Sequence, residues 1–177
     1  HFLYNTLDSI TWMIEGGKNE EASFMMTQLA KLFRISLSKG HTIIPVRDEL
    51  LHAKSYMNIQ KVRYKNKFEV SFDVDEEIMD YCAVKLVLQP LLENAIYYGM
   101  EYMDGEGEIL VKGYEKDGDI YLEVQDNGLG MPEEEAAKLL TDSVLSRAIS
   151  AAMLGLIFCF SYVVLTMYRE NDRRYQI

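Results

Sequence analysis

The chain has 177 residues, 49% of them hydrophobic and 26% charged, enough for one substantial core or for one domain with a helical appendage, and far from a disordered composition. Its formal net charge of −10 argues against nucleic acid as a partner, because affinity for a phosphate chain comes mainly from Lys and Arg. Cys82 and Cys159 lie far apart without CxxC spacing, which excludes a disulfide framework and a thiolate metal site and suits a reducing compartment.

The chain starts at His1 rather than Met, shows no signal peptide, and reads as a fragment of something longer. From His1 to Ile14, Leu3, Leu7, Ile10 and Ile14 share one side at helical spacing, with His1, Asn5, Asp8 and Trp12 on the other. Gly16-Gly17 breaks this helix, and Asn19 looks like the N-cap of a second, with Met25, Leu29, Leu32 and Phe33 inside and an end near Lys39-Gly40. A lone helical hairpin buries too little apolar surface to be stable, so dimerisation into a four-helix bundle is expected. A terminal histidine on such a hairpin is, taken alone, more often structural than chemical.

Pro45 opens a third helix running to about Tyr64, with Asp48 and Glu49 at the positive end of its dipole. His41 and His52 have no acidic or cysteine partner at ligand spacing and read as surface residues. Lys67 to Asp75 alternates strictly, with Phe68, Val70, Phe72 and Val74 on one face of a half-buried strand. A helix is expected from about Met79 to Gly99, with Val84, Val87, Leu88, Leu91 and Ala95 as its core stripe and Gln89, Glu93 and Tyr97 opposite. Pro90 inside it would cost about 3 kcal/mol unless it lies at a helix start or kink, so a break is expected there that aims Glu93 and Asn94 into a cleft. Glu108 to Tyr114 and Asp119 to Asp126 read as strands joined by a turn at Lys116-Asp117-Gly118, with Ile109, Val111, Ile120, Leu122 and Val124 facing inward. The fold class is α+β: a helical hairpin, then an α/β sandwich of one helical layer on a mixed or antiparallel sheet.

Two segments carry the chemistry. Leu88-Gln89-Pro90-Leu91-Leu92-Glu93-Asn94-Ala95 sets a carboxylate beside an amide on a helix. Val124-Gln125-Asp126-Asn127-Gly128-Leu129-Gly130-Met131 ends an apolar strand in a loop whose glycines permit positive φ and close approach to a ligand. Either alone is weak, since Asn-Gly after a strand is usually a turn and Glu-Asn on a helix usually faces water. Together they suggest a nucleotide site, with Asp126 reading a base edge and Asn94 or Glu93 holding Mg²⁺, a hard cation that takes oxygen ligands.

With His1-Phe2-Leu3-Tyr4-Asn5 upstream, these segments closely resemble the phosphoacceptor, N and first glycine boxes of the LytS/YesM-like sensor histidine kinases. Tyr56, Ile59, Gln60, Arg63 and Tyr64 resemble a further segment of that family, to which no chemistry is assigned. The resemblance runs from His1 to about Arg147. It implies a phosphoacceptor and dimerisation hairpin at 1–40, a connecting helix at 45–66 and a GHKL (Bergerat-type) ATP-binding domain at 67–147, incomplete at its C-terminus. The roles it implies are His1 as phosphoryl acceptor from ATP, Asn5 as its hydrogen-bonding neighbour, Glu93 as general base, Asn94 as Mg²⁺ ligand, Asp126 as acceptor from the adenine amino group, and Gly128 and Gly130 as loop glycines. The partners it implies are a second copy of the chain and a response regulator, whose aspartate takes the phosphoryl group. The place it implies is the cytoplasmic side of a bacterial membrane, reached through a part of the protein ahead of residue 1.

There are departures. Where the family's N box continues with Lys-His, this chain has Tyr97-Tyr98, which carry no charge. After Arg147 the second glycine box is missing, and 148–168 runs without a charge before a charged tail at 169–177. By length the apolar run is a membrane-span candidate. It also reads as a buried core helix, or as the product of a shifted reading frame, which explains the abrupt loss of resemblance most simply. The missing box and the tyrosines favour an alternative function, a catalytically silent nucleotide-binding dimeric signalling module.

Overall fold

A computed structural model describes residues 1–37, 42–100, 107–128, 130 and 163–167, the side chains of 98–100 and 163–167 excepted. Helices α1 (Phe2–Glu15) and α2 (Asn19–Ser36) form the expected hairpin, turned at Gly16-Gly17, where Gly17 takes a φ of +76°. Asn19 is the first helical residue rather than the N-cap, a place taken by Lys18 without a side-chain hydrogen bond. On α1 the packed positions are Phe2, Leu3, Thr6, Ile10 and Met13, and Leu7 and Ile14 are exposed instead. The stripe is rotated because α1 touches both α2 and the third helix, so the inward direction lies between the two. α2 ends at Ser36 with Leu37 as its C-cap, a few residues before the expected Lys39-Gly40, which, like His41, lies outside the described residues.

Strand β1 (Ile43–Pro45) leads into α3 (Val46–Arg63). This helix has buried residues around much of its circumference, among them Val46, Glu49, Leu50, His52, Ala53, Tyr56, Met57, Ile59 and Gln60. It is not amphipathic because it packs on the hairpin on one side and on the sandwich on the other. His52, expected at the surface, is fully buried, its Nε2 2.9 Å from the Ser36 hydroxyl. The ligand-spacing argument says nothing about burial, and the neighbour that bonds Nε2 comes from another helix, while the buried Nδ1 has no partner among the described residues.

The helix expected over 79–99 is mostly something else. A 3₁₀ turn (Glu76–Ile78) is followed by strand β3 (Cys82–Val84), which pairs antiparallel with β1, Ile44 opposite Ala83. The Val46 and Arg47 N–H groups, orphans at the start of α3, are taken by the carbonyls of Tyr81 and Met79, and Arg47 pairs with Asp80. These tertiary partners hold 79–84 extended despite its apolar spacing. The helix α4 (Leu88–Asn94) starts late enough to place Pro90 in its first turn, where a missing N–H costs nothing, so the expected break has no reason to form. It continues as a wide π-helical segment (Ala95–Met100).

Strand β2 (Phe68–Val74) runs parallel to β4 (Gly107–Lys116), which forms a hairpin with β5 (Asp119–Asp126) through Asp117 and Gly118, both at positive φ. β6 (Val163–Met167) pairs antiparallel with β5, giving a mixed sheet in the order β2-β4-β5-β6. This strand falls within the apolar run 148–168, whose other residues lie outside the described ones. Among the described residues no helix is long and apolar enough to cross a membrane.

The sheet's inner face carries Phe68, Ile109, Val111, Ile120, Leu122 and Val124, all buried, under Leu88, Leu91, Leu92, Ala95 and Ile96. Each such side chain contributes about 1.5–3 kcal/mol by leaving water. The sandwich is thus α+β with one helical layer, and that layer carries Glu93 and Asn94.

Candidate functional site

Three places in the fold hold the residues singled out from the sequence. The first is the start of α1. His1 occupies the N-cap position, exposed, and the side-chain amide nitrogen of Asn5 lies 3.0 Å from His1 Nδ1. The pairing follows from helical geometry, since residues four apart stack on one face.

The second is a hollow of about 320 Å³ between α3 and the α4 layer, lined by Tyr56, Gln60, Tyr64, Glu93, Asn94, Ile96 and Tyr97. Glu93 is exposed and accepts a 2.7 Å hydrogen bond from Gln89. Asn94 closes α4, and the wide turns that follow reset the backbone so that Ile96 and Tyr97 also reach the hollow. From the other wall Gln60 donates to the Tyr56 hydroxyl at 2.5 Å, and Arg63 donates to Gln60 Oε1 at 2.8 Å. Burial pushes the Tyr56 phenol well above its ordinary range; Glu93 adds to this, while Gln60 and Arg63 oppose it. Tyr56 therefore keeps its hydrogen and can donate it.

The third is the end of β5. Asp126 is buried, one carboxylate oxygen accepting the Gly128 N–H at 2.9 Å and the other, Oδ2, without a partner among the described residues. Burial raises its pKa, and the Gly128 hydrogen bond pulls the other way. Gly130 takes φ +73°, where a side chain would strain the backbone; Gly128 contributes its N–H instead of a positive φ. The neighbouring Asn127 turns back, its side-chain oxygen accepting the Glu108 N–H.

Glu93 and Asn94 thus share a hollow, and α4 and the π-helical segment pack on β5, but Asp126 is not part of that hollow's lining. The wall formed by Tyr56, Gln60 and Tyr64 had no role in the sequence; their spacing of one turn each along α3 was the available signal. Also missed was Glu49, fully buried, whose carboxylate accepts the N–H groups of Leu86 and Leu88 and so caps α4 from another helix.

The donor and acceptor chemistry of these two places suits a nucleotide in two respects. The unpartnered, buried Asp126 Oδ2 needs a donor, which an exocyclic amino group supplies. The hollow offers Glu93 and Asn94 oxygens beside Tyr56 and Gln60. Among the described residues no group of three or more His, Cys, Asp or Glu side chains forms a cation cage.

Residues 79–169 match the profile of the histidine kinase-, DNA gyrase B- and HSP90-like ATPases. The chain belongs to this ATPase family. Ahead of the ATPase match, residues 1–68 match the histidine kinase profile. The ATPase match extends past Arg147, where the resemblance read from the sequence ends. Relatives include the sensor histidine kinase YesM of Bacillus subtilis, 35% identical over 131 residues, covering 74% of this chain and 23% of the relative. The sensor protein LytS of Bacillus cereus is 31% identical over 140 residues, covering 78% and 24%, and the sensor histidine kinase BtsS of Escherichia coli is 29% identical over 140 residues, covering 78% and 25%. The chain spans about a quarter of the length of these relatives. The ATPase family implies ATP as the nucleotide.

Proposed function

We propose that the chain is the phosphoacceptor and ATP-binding portion of a two-component sensor histidine kinase, autophosphorylating on His1 and passing the phosphoryl group to a response-regulator aspartate. The observation that carries the reading is the buried Asp126 carboxylate with one oxygen committed to its own loop and the other in need of a donor. That is the arrangement an adenine amino group satisfies.

The chain's residues divide the work as follows. Asp126 selects the base, and Gly128 and Gly130 keep the loop close to it. Asn94 would be the protein's ligand to Mg²⁺, a hard cation that takes oxygen donors. The chemistry it would supply there is neutralisation of phosphate charge. The Asn5 amide nitrogen beside Nδ1 donates to it, which leaves the ring hydrogen on Nε2; attack through Nε2 requires the amide to turn, so that its oxygen accepts from Nδ1–H and the lone pair lies on Nε2. The Nε2–P bond forms as the bond to the bridging β-γ oxygen breaks, ADP departs, and Glu93 takes the ring proton. The exposed Tyr4, Leu7 and Ile14 on α1 form a stripe suited to a second copy of the hairpin, making the active form a homodimer. The parent protein would sit at a bacterial membrane, with this portion on its cytoplasmic side.

Tyr97 at the hollow, in place of a cation, favours a second reading, a nucleotide-binding signalling module without phosphoryl transfer. One experiment separates the two. With γ-labelled ATP and Mg²⁺, label that survives alkali and is lost in acid is expected on the wild type and absent in His1→Gln and Asn94→Ala. Label that persists in His1→Gln would remove His1 as acceptor; ATP binding without any label would establish the silent module.

A further inference from the structure

The row of side chains on α3 touches two things at once. Towards α1, the Tyr56 ring lies 5.2 Å from the Phe2 ring, tilted by 35°, and the Arg63 guanidinium stands 6.0 Å from the Phe2 centroid. Phe2 is thus held between an aromatic ring and a cation, contacts that an offset ring pair and a cation over a π-face both favour. Towards the sandwich, Tyr56 and Gln60 line the hollow that holds Glu93 and Asn94. The hydrogen bonds from Arg63 to Gln60 and from Gln60 to Tyr56 tie the row together, so none of the three can shift alone. Phe2 follows His1 directly, and the Asn5 N–H donates to the His1 carbonyl, so seating Phe2 fixes the end of the helix that presents the imidazole.

We infer that Tyr56, Gln60 and Arg63 are positioning residues that couple the seat of the His1 end of α1 to occupancy of the hollow by the phosphate donor. The inference rests on the reading of the hollow as part of the nucleotide site. Anionic phosphates beside Glu93 and Asn94 meet Tyr56 and Gln60 as hydrogen-bond donors; satisfying them stiffens the row, and the row clamps Phe2. The coupling is reciprocal, as any linkage between two sites must be.

The full chain is assayed for ATP binding by equilibrium dialysis, for His1 labelling at saturating Mg·ATP, and for amide hydrogen exchange over residues 2–6. Arg63 does not line the hollow, so Arg63→Gln is expected to weaken ATP binding only by the coupling's share, about threefold, and less than it slows labelling. It is expected to slow labelling by about tenfold or more, as misplacement of a reacting group does. Arg63→Lys, which keeps the charge over the ring, recovers part of the rate. Phe2→Leu, which keeps apolar bulk but loses the ring, reproduces the loss, and the double variant is no slower than either single one. In the wild type, ATP slows exchange over residues 2–6; in Arg63→Gln it does not. The inference fails if Arg63→Gln weakens ATP binding as much as it slows labelling, if the two substitutions add, or if exchange over residues 2–6 ignores ATP in the wild type. Should the wild type bind ATP without labelling, the kinase reading falls, and the exchange measurement still decides the coupling.

Discussion

The carboxylate of Glu49 holds the backbone N–H of Leu88 at 2.9 Å, from 39 residues away in the sequence, while its second oxygen takes the N–H of Leu86 at 2.8 Å. A helix α4 without a side-chain cap of its own thereby obtains one from α3. Burial raises the Glu49 pKa, and the backbone N–H groups of Leu88, Leu86 and Val87 oppose it.

Glu49→Gln leaves one oxygen for two N–H groups and turns an NH₂ towards the other. A loss of about 1–3 kcal/mol in stability is expected from the unsatisfied donor, read as a lower urea midpoint at unchanged slope. An unchanged midpoint would mean the cap carries no weight.

Asp126→Asn should separate binding from stability. The amide oxygen can still accept from Gly128, but an NH₂ group would then face the ligand's amino group. ATP affinity is expected to fall by roughly 10–100-fold, the worth of a charge-assisted hydrogen bond. Stability should hold or rise, because a buried carboxylate with a raised pKa has been removed. A drop in both would assign Asp126 to folding alone.

His52 sets an acid limit. Burial, helped by the nearby Lys85 charge, lowers its pKa from 6.5 to about 4. As pH falls below 6.5 the unfolded chain takes up the proton first, so stability is full above that value and declines until about pH 4. The whole loss is about 3 kcal/mol by linkage. Glu49 and Asp126 act with the opposite sign, gaining stability on acidification, since their folded forms protonate earlier than their unfolded ones. Urea midpoints of wild type and His52→Gln measured from pH 7 to 4 isolate the imidazole: the difference between them should change across that window, and a constant difference would count against a buried neutral ring.

The exposed α1 stripe gives a further test. Leu7→Lys with Ile14→Lys should shift the chain from dimer to monomer in sedimentation at micromolar concentration, with helix content retained. Both side chains are already exposed in the single chain, so its own core loses nothing.

Much of this was legible from period. The strict alternation of Phe68 to Val74 gave a strand in place, as did the inward set Ile120, Leu122 and Val124, because these side chains meet the helices. The Asp117-Gly118 turn followed from residues that tolerate positive φ. Period misled where a tertiary partner decided. Val84, Val87 and Leu88 are spaced for a helix, yet 79–84 serves the N-terminus of α3 and pairs with β1, and α4 begins only where Glu49 reaches it. The boxes around Asn94 and Asp126 stood out as local strings. The opposite wall of the hollow, Tyr56, Gln60 and Tyr64, showed itself in the sequence only as a family-like segment at one-turn spacing, and the packing of α3 on α4 is what places it opposite Glu93 and Asn94.

The parallel pairing of β2 with β4 has an entropic corollary. Two strands that run the same way cannot be joined by a tight turn, and the excursion between Val74 and Gly107 contains α4. Closing that excursion is what gives Glu93 and Asn94 a fixed address; in a chain where β2 is undocked, the two side chains would wander on a tether. Weakening the β2 edge should thus erode ligand affinity before it erodes the β4-β5 hairpin, whose strands need only their own turn to meet.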